Sequence, residues 1–469
     1  MDRAELETNQ PLTSRDWEEA FSLYENVVAT GNEDLQVKAI FKLARLANHA
    51  PENILARSIP ILAELLENPF SRSSAVIQEA AAFCLKSIAY QGDSKLASTI
   101  GQSGAIPSLL KLLMHSECHF RKVLLKCLRN IVTFGEANRI IVIKNGGLEV
   151  ILSLLNLSSD ASRRLLLEVF SALALLREVR RVIVSLGGIH FLVESSSYGN
   201  MISRTRAAQA IGLLGLVRRA RCMLVRAGAI PALVELLRVG DFSAKMVSGN
   251  ALGVISSHVD YIRPVAQAGA IPLYAELIKG PETMGKEIAE DVFCILALAQ
   301  ENALVIAEHL VEIFKEGGAE AKAVAADVLW NLSGYKHSSY VVQNSGVIPI
   351  VVELLTDGNA DIREKVSGAV SQLSYNEADR VALADAGAIP LLLDMLQDES
   401  EEVRDNAAEA LVSFSEDPLM RDRISDAFSS PAFQNMQERM VQIRRSDAHL
   451  LMPLQHMSIE QFTWNPDLI

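Results

Sequence analysis

Gly228-Ala229-Ile230-Pro231-Ala232-Leu233-Val234-Glu235-Leu236-Leu237 is a joint between two helices written in ten residues. Glycine accepts the left-handed backbone that ends one helix. Proline three residues on suits the first turn of the next, where its missing N–H costs nothing. Leu233, Leu236 and Leu237 then recur at helical spacing, the mark of a buried face. The joint returns as Gly104-Ala105-Ile106-Pro107, Gly269-Ala270-Ile271-Pro272, Gly346-Val347-Ile348-Pro349 and Gly387-Ala388-Ile389-Pro390. Weaker copies stand at Gly146-Gly147-Leu148 and Gly187-Gly188-Ile189. Successive glycines lie 42, 41, 41, 41, 77 and 41 residues apart, the long interval hiding one repeat without the turn.

A second marker keeps the same period on another helix. The residues Gln36, Gln78, Arg121, Arg163, Arg204, Lys245, Lys286, Lys322, Arg363 and Arg404 hold one position ahead of a run of small apolar residues. Two independent features agree on the register, so the chain is a repeat array. A polar residue recurring at one place in every unit is expected to be part of the unit's own architecture. The same holds for Arg139, Arg180, Arg221 and Arg380, each seven residues before a turn glycine.

Gly-Ala-Ile-Pro followed by Leu-Val-x-Leu-Leu, and the later Ala325-Ala326-Asp327-Val328-Leu329-Trp330-Asn331-Leu332-Ser333, resemble the armadillo repeat. The wording of the joints is most similar to plant-type armadillo proteins without a U-box. The resemblance covers roughly residues 34–427. It implies an all-α superhelical solenoid of about nine three-helix repeats, with a partner-binding groove lined by the third helices. An N-terminal capping helix is expected within residues 1–33, its face formed by Trp17, Phe21, Tyr24 and Val28 with Ser14 as its cap. Residues 428–469 are expected to hold a C-terminal cap, with a helix over 432–445, and a tail. Between Ile295 and Val305, which takes the glycine slot, the spacing is shortened. The irregular repeat near 296–322 is therefore expected to have a missing or vestigial first helix, with either a local kink around 296–310 or a tolerated deletion in a surface connection as the consequence.

Composition narrows the function. The 469 residues are 49% hydrophobic with a net charge of −13, so a large core is affordable and bulk affinity for nucleic acid is not expected. The polar start, Met1-Asp2-Arg3-Ala4-Glu5, has no signal-peptide core, and no apolar run is long enough to span a bilayer. Five scattered cysteines (Cys84, Cys118, Cys127, Cys222, Cys294) read as reduced core residues. The expected location is cytoplasmic, with the nucleus as the alternative. No nucleophile, base or carboxylate pair stands in a catalytic context, and neither cofactor nor metal is expected. Gly280-Pro281-Glu282-Thr283-Met284-Gly285-Lys286 has phosphate-loop spacing, but Glu287 replaces the magnesium-binding hydroxyl and a helix precedes it. His115-Ser116-Glu117-Cys118-His119 offers metal-type ligands without a second cluster to complete a site.

The resemblance assigns the groove to Asn130, Glu168, Gln209, Leu213, Asn250, Val254, Asp291, Ile295, Asp327 and Asn331. Of the asparagines that pin an extended peptide in the family, only Asn130 and Asn331 remain. The packing tryptophan is missing, since Trp330 falls one residue off register. That departs from a nuclear-import cargo adaptor. Apolar positions flanked by acids suit an extended or helical partner segment with apolar anchors and basic flanks; a merely solvated face is the alternative. Residues 161–226 hold eleven arginines against three acids. Arg163, Arg164, Arg204, Arg206, Arg218 and Arg219 form a candidate basic patch for an acidic or phosphorylated protein or an anionic membrane. The primary expectation is a non-enzymatic scaffold or adaptor. The rivals are a substrate-recruiting component of a ubiquitin ligase assembled in trans, and a peripheral phosphoinositide binder.

Overall fold

The computed structural model describes residues 14–30, 32–67, 74–91, 95–157, 161–418, 420 and 424. The helix expected at 432–445 and the tail after it lie outside these residues. Every regular element among the described residues is helical, and the chain divides into two compact units, Met1–Ala232 and Leu233–Ile469.

The first unit opens with α1 (Ser14–Thr30), α2 (Glu33–Leu46), α3 (Glu52–Glu67) and α4 (Ala75–Ile88). Threefold groups follow: α5 (Lys95–Gln102), α6 (Ala105–His115) and α7 (Cys118–Phe134), then α8 (Glu136–Lys144), α9 (Gly147–Leu157) and α10 (Ala161–Leu173). The next group is α11 (Arg177–Ser185), α12 (Ile189–Ser197) and α13 (Met201–Gly215), before α14 (Arg218–Arg226). The division falls within α15 (Ala229–Val239). The second unit continues with α16 (Phe242–Ser256), α17 (Val259–Gln267), α18 (Ala270–Lys279) and α19 (Thr283–Leu296). It goes on through α20 (Gln300–Glu316), α21 (Ala319–Ser333), α22 (Ser338–Ser345), α23 (Val347–Leu354) and α24 (Ala360–Ser374). The last described helices are α25 (Glu377–Asp385), α26 (Ala388–Met395) and α27 (Glu401–Glu416).

Within each unit, helices of one kind stack on their successors. Third helices α2, α4, α7, α10 and α13 pack in that order in the first unit, and α16, α19, α21, α24 and α27 in the second. Many begin with a side-chain cap: Asn32, Ser74, Asn200, Asp241, Asn359 and Ser400 each accept a backbone N–H of the first turn. Pairs of small residues, such as Ala80–Ala81, Ala207–Ala208, Ala325–Ala326 and Ala407–Ala408, are wholly buried and let these helices approach closely. In α1 the buried side chains are Trp17, Phe21, Tyr24 and Val28, while Ser14 is already helical rather than standing outside as a cap.

All seven turn glycines read from the sequence have positive φ, from 72° at Gly187 to 90° at Gly228. That is the region an L side chain enters only with strain. Where the glycine is missing, the chain does not turn. In α20 Val305 occupies the slot, and one unbroken 17-residue helix runs where two short ones stand elsewhere. The expected loss of a first helix is therefore corrected: first and second helix are fused. α20 packs on both α22 and α23 of the following repeat. The opening turn also keeps its anchor, since buried Asn302 donates to the Leu296 carbonyl at 3.0 Å as Asn138 donates to that of Ile131 at 3.2 Å. α3 is built the same way. Arg57 stands three residues before Pro60, and the helix continues through the proline onto both α5 and α6.

Candidate protein-binding surface

Most of the recurring polar residues are spent on the repeats themselves. Each third helix leaves the preceding helix with carbonyls that have no intrahelical partner. Arg121 donates to the Ser116 carbonyl at 2.7 Å, Arg163 to Leu155 at 2.6 Å and Arg204 to Ser196 at 3.0 Å. Arg363 donates to Asp357 at 3.0 Å and Arg404 to Asp398 at 2.6 Å; Gln36 and Gln78 reach Val28 and Leu66 in the same way. The arginines before the turn glycines close the other junction, onto the end of the preceding third helix. Arg139 donates to Val132 at 3.0 Å, Arg221 to Gly215 at 2.6 Å and Arg380 to Ser374 at 2.7 Å. Lys286 is buried and pairs with Glu320, so it is not available to a phosphate. His119 pairs with Glu79 at 2.8 Å, and among the described residues no group of three or more His, Cys, Asp or Glu is placed to hold a metal ion.

In the first unit the structure corrects several groove expectations. Asn130 is 6% exposed, donates to the Lys86 carbonyl at 3.0 Å and accepts from the Arg129 guanidinium at 2.9 Å. Its amide is committed to the third helix before it, not offered to a peptide. Glu168 is 4% exposed and receives Arg129 at 3.3 Å, Arg164 at 3.4 Å and the Asn200 backbone N–H at 3.3 Å. It stitches α7, α10 and α13 together and cannot meet a basic partner. Gln209 and Leu213 are half-buried. The basic patch also divides. Arg163 grips Glu194, Arg204 caps α12, and buried Arg206 donates to the Thr133 carbonyl at 3.3 Å. Arg164 reaches Glu168 from an exposed position, and Arg218 and Arg219 are exposed at the start of α14.

The second unit gathers the remaining positions. Asn250, Asp291, Ile295, Asp327 and Asn331 are half-buried on α16, α19 and α21, whereas Val254 is buried as core rather than open as an anchor. Lys365 of α24 pairs with Asp327 at 3.1 Å, and Asn331 donates to the Asp327 carbonyl at 3.0 Å. Two neighbours are not assigned to the groove by the sequence. Glu290, beside Asp291, is pushed up to about 7 by burial, with the Asp327 and Asp291 carboxylates adding to the effect. Asp291 is itself raised, by burial and then by Glu287. Trp330 is 48% exposed, one turn along α21 from Asp327. Its distance from the family's register hid it, although an exposed tryptophan on a third helix was visible as a residue type. Chemically, this surface offers carboxylates short of counter-charge beside an open indole face. Both favour a cation.

A HEAT-repeat family model matches residues 388–417, which span α26 and α27. An engineered protein of known structure is similar over 84% of this chain and 98% of its own, with 22% identity and a TM-score of 0.62. A chain from a structure on a conserved phosphorylation switch controlling the interaction between cadherin and beta-catenin is similar over 89% of this chain and 86% of its own. Its identity is 15% and its TM-score 0.61. A designed armadillo repeat protein matches 48% of this chain and 99% of its own, at 20% identity and a TM-score of 0.38. No curated protein matches the chain. At these identities the likeness defines the fold alone: an armadillo/HEAT-type repeat solenoid.

Proposed function

We propose that this protein is a non-enzymatic scaffold that holds a partner segment against the third helices of its second unit. The observation carrying the proposal is the company kept by Asp291 and Asp327. Half-buried carboxylates on α19 and α21, with Glu290 among them, stand beside exposed Trp330 and half-buried Ile295 and Asn331. Among the described residues, their one cationic neighbour in an ion pair is Lys365. A partner segment presenting Arg or Lys with interleaved aliphatic side chains fits that chemistry, the cation over the indole and the aliphatic groups against Ile295. The resemblance to plant-type armadillo proteins without a U-box belongs to this proposal, as does a cytoplasmic or nuclear setting. Among the described residues no single helix is long and apolar enough to cross a membrane.

Titrating the protein with an arginine–leucine peptide while following tryptophan emission tests the idea, because Trp17 is buried, Trp330 is open, and the third tryptophan, Trp464, can be replaced by Phe in both proteins compared. The emission should shift on binding in the wild type, and the shift should vanish in Trp330→Phe. An unchanged spectrum, with no binding seen by an independent method, contradicts the proposal.

A further inference from the structure

The first unit carries a second surface of opposite sign. Of the eleven arginines in residues 161–226, several serve as the clamps described above. Arg177, Arg181, Arg218, Arg219 and Arg226 are exposed and make no hydrogen bond or ion pair among the described residues. All five lie on two consecutive first helices, α11 and α14. α14 packs on α12 and α13, the two other helices of the repeat that α11 opens, so both helices belong to adjoining repeats of one unit. Arg177 and Arg181 are one turn apart on α11, and Arg218 and Arg226 two turns apart on α14, so each helix presents a guanidinium row. The acids of this stretch do little to neutralise them. Glu194 is taken by Arg163 and Glu168 is buried, which leaves Glu178.

Aliphatic side chains border the rows. Val182 and Leu186 (53% exposed) stand on and just past α11; Leu216 and Val217 (59% exposed) stand at the start of α14. Residues 161–226 contain no lysine, and neither helix contains an aromatic residue. A membrane-facing surface draws on lysine as readily as arginine and is anchored by Trp or Tyr. Arginine alone indicates planar, two-pronged recognition of an oxyanion, which in an unmodified peptide segment is a carboxylate.

We propose that the exposed faces of α11 and α14 form a docking surface for an acidic amphipathic segment of a partner protein. The arginine rows take its carboxylates, and Val182, Leu186, Leu216 and Val217 take its aliphatic side chains. This surface is independent of the one on the second unit, so either can fail without the other.

The test uses the full chain and a labelled peptide of glutamate and leucine, followed by fluorescence anisotropy. The wild type should bind, more weakly as salt rises. Arg218→Ala with Arg219→Ala should weaken binding roughly tenfold or more, while exposed Arg263→Ala in the second unit leaves it unchanged. Because none of the five arginines holds the fold together, the variant's thermal midpoint should match the wild type's. Arg177→Ala with Arg181→Ala provides a second, separate loss. Arg218→Lys with Arg219→Lys should not restore full affinity, since an ammonium cannot form the fork. Absence of peptide binding, equal binding by the alanine variants, or binding to phosphatidylserine vesicles without binding to the peptide overturns the proposal.

Discussion

Arg163 holds Glu194 by a two-pronged ion pair, Nε to Oε1 and Nη2 to Oε2, both at 2.6 Å. Its third donor, Nη1, reaches the Leu155 carbonyl at 2.6 Å. One side chain thereby ties α10 to the second helix before it and to α12 of the next repeat. Arg163→Lys keeps the charge but loses the fork and leaves the carbonyl unmet. It should cost about 1–3 kcal/mol in urea unfolding. Arg226→Lys, on an exposed arginine of α14, should stay within about 0.5 kcal/mol of the wild type.

Glu168 is a buried charge with three donors, so its removal should register as lost stability rather than as lost binding. Glu168→Ala strands Arg129 and the Asn200 N–H and is expected to cost about 3–5 kcal/mol. An unfolding curve indistinguishable from the wild type's would show that the α7–α10–α13 stitch carries no weight.

The turn glycines and the fused helices make opposite demands at one position of the repeat. At Gly228 φ is 90° and a Cβ would meet nothing within 4 Å, so Gly228→Ala carries only backbone strain, about 1–2 kcal/mol. At Val305 the helix is continuous, and Val305→Gly should destabilise by about 0.5–1 kcal/mol through lost helix propensity. Thermal denaturation of the pair checks both signs. A stabilising Val305→Gly would mean that α20 is strained by the missing turn.

Glu290 sets a pH dependence. Its folded value, about 7, lies above the ordinary 4.5. Between these values the unfolded chain releases a proton that the folded one keeps, so stability is greatest below the lower value. It falls as pH rises through that window and levels off above about 7. Glu290→Gln should therefore raise the denaturation midpoint at pH 8 and leave it unchanged at pH 4. Affinity for a cationic segment should run the other way, tightening as Glu290 ionises. A variant with the wild-type midpoint at every pH would show that Glu290 is not held neutral by its surroundings.

Much of the fold was legible because its signals are local. A glycine that must take positive φ, a cap such as Asn200 and a cation such as Arg204 four residues on each act within a few residues. They repeat in register. The fusion in α20 was hidden because a missing glycine reads equally as a lost helix or an unbroken one. Packing on α22 and α23 decided between them. The sites were less legible for a related reason. Whether Glu168 faces a partner depends on Arg129, 39 residues earlier, and whether Asn130 is free depends on the Lys86 carbonyl, 44 residues earlier. Position on a third helix says nothing about such partners. Arg163 and Arg218 look alike in the sequence, yet one is a structural clamp and the other is open.

The most direct measurement is the affinity of the full chain for the arginine–leucine peptide, compared between the wild type and a variant carrying Asp291→Lys and Asp327→Lys. Circular dichroism should confirm that the variant keeps its helix content. Binding by the wild type and a loss of roughly tenfold or more in the folded variant is the result expected of a scaffold working through its second-unit third helices. Equal affinity in the two proteins would contradict it.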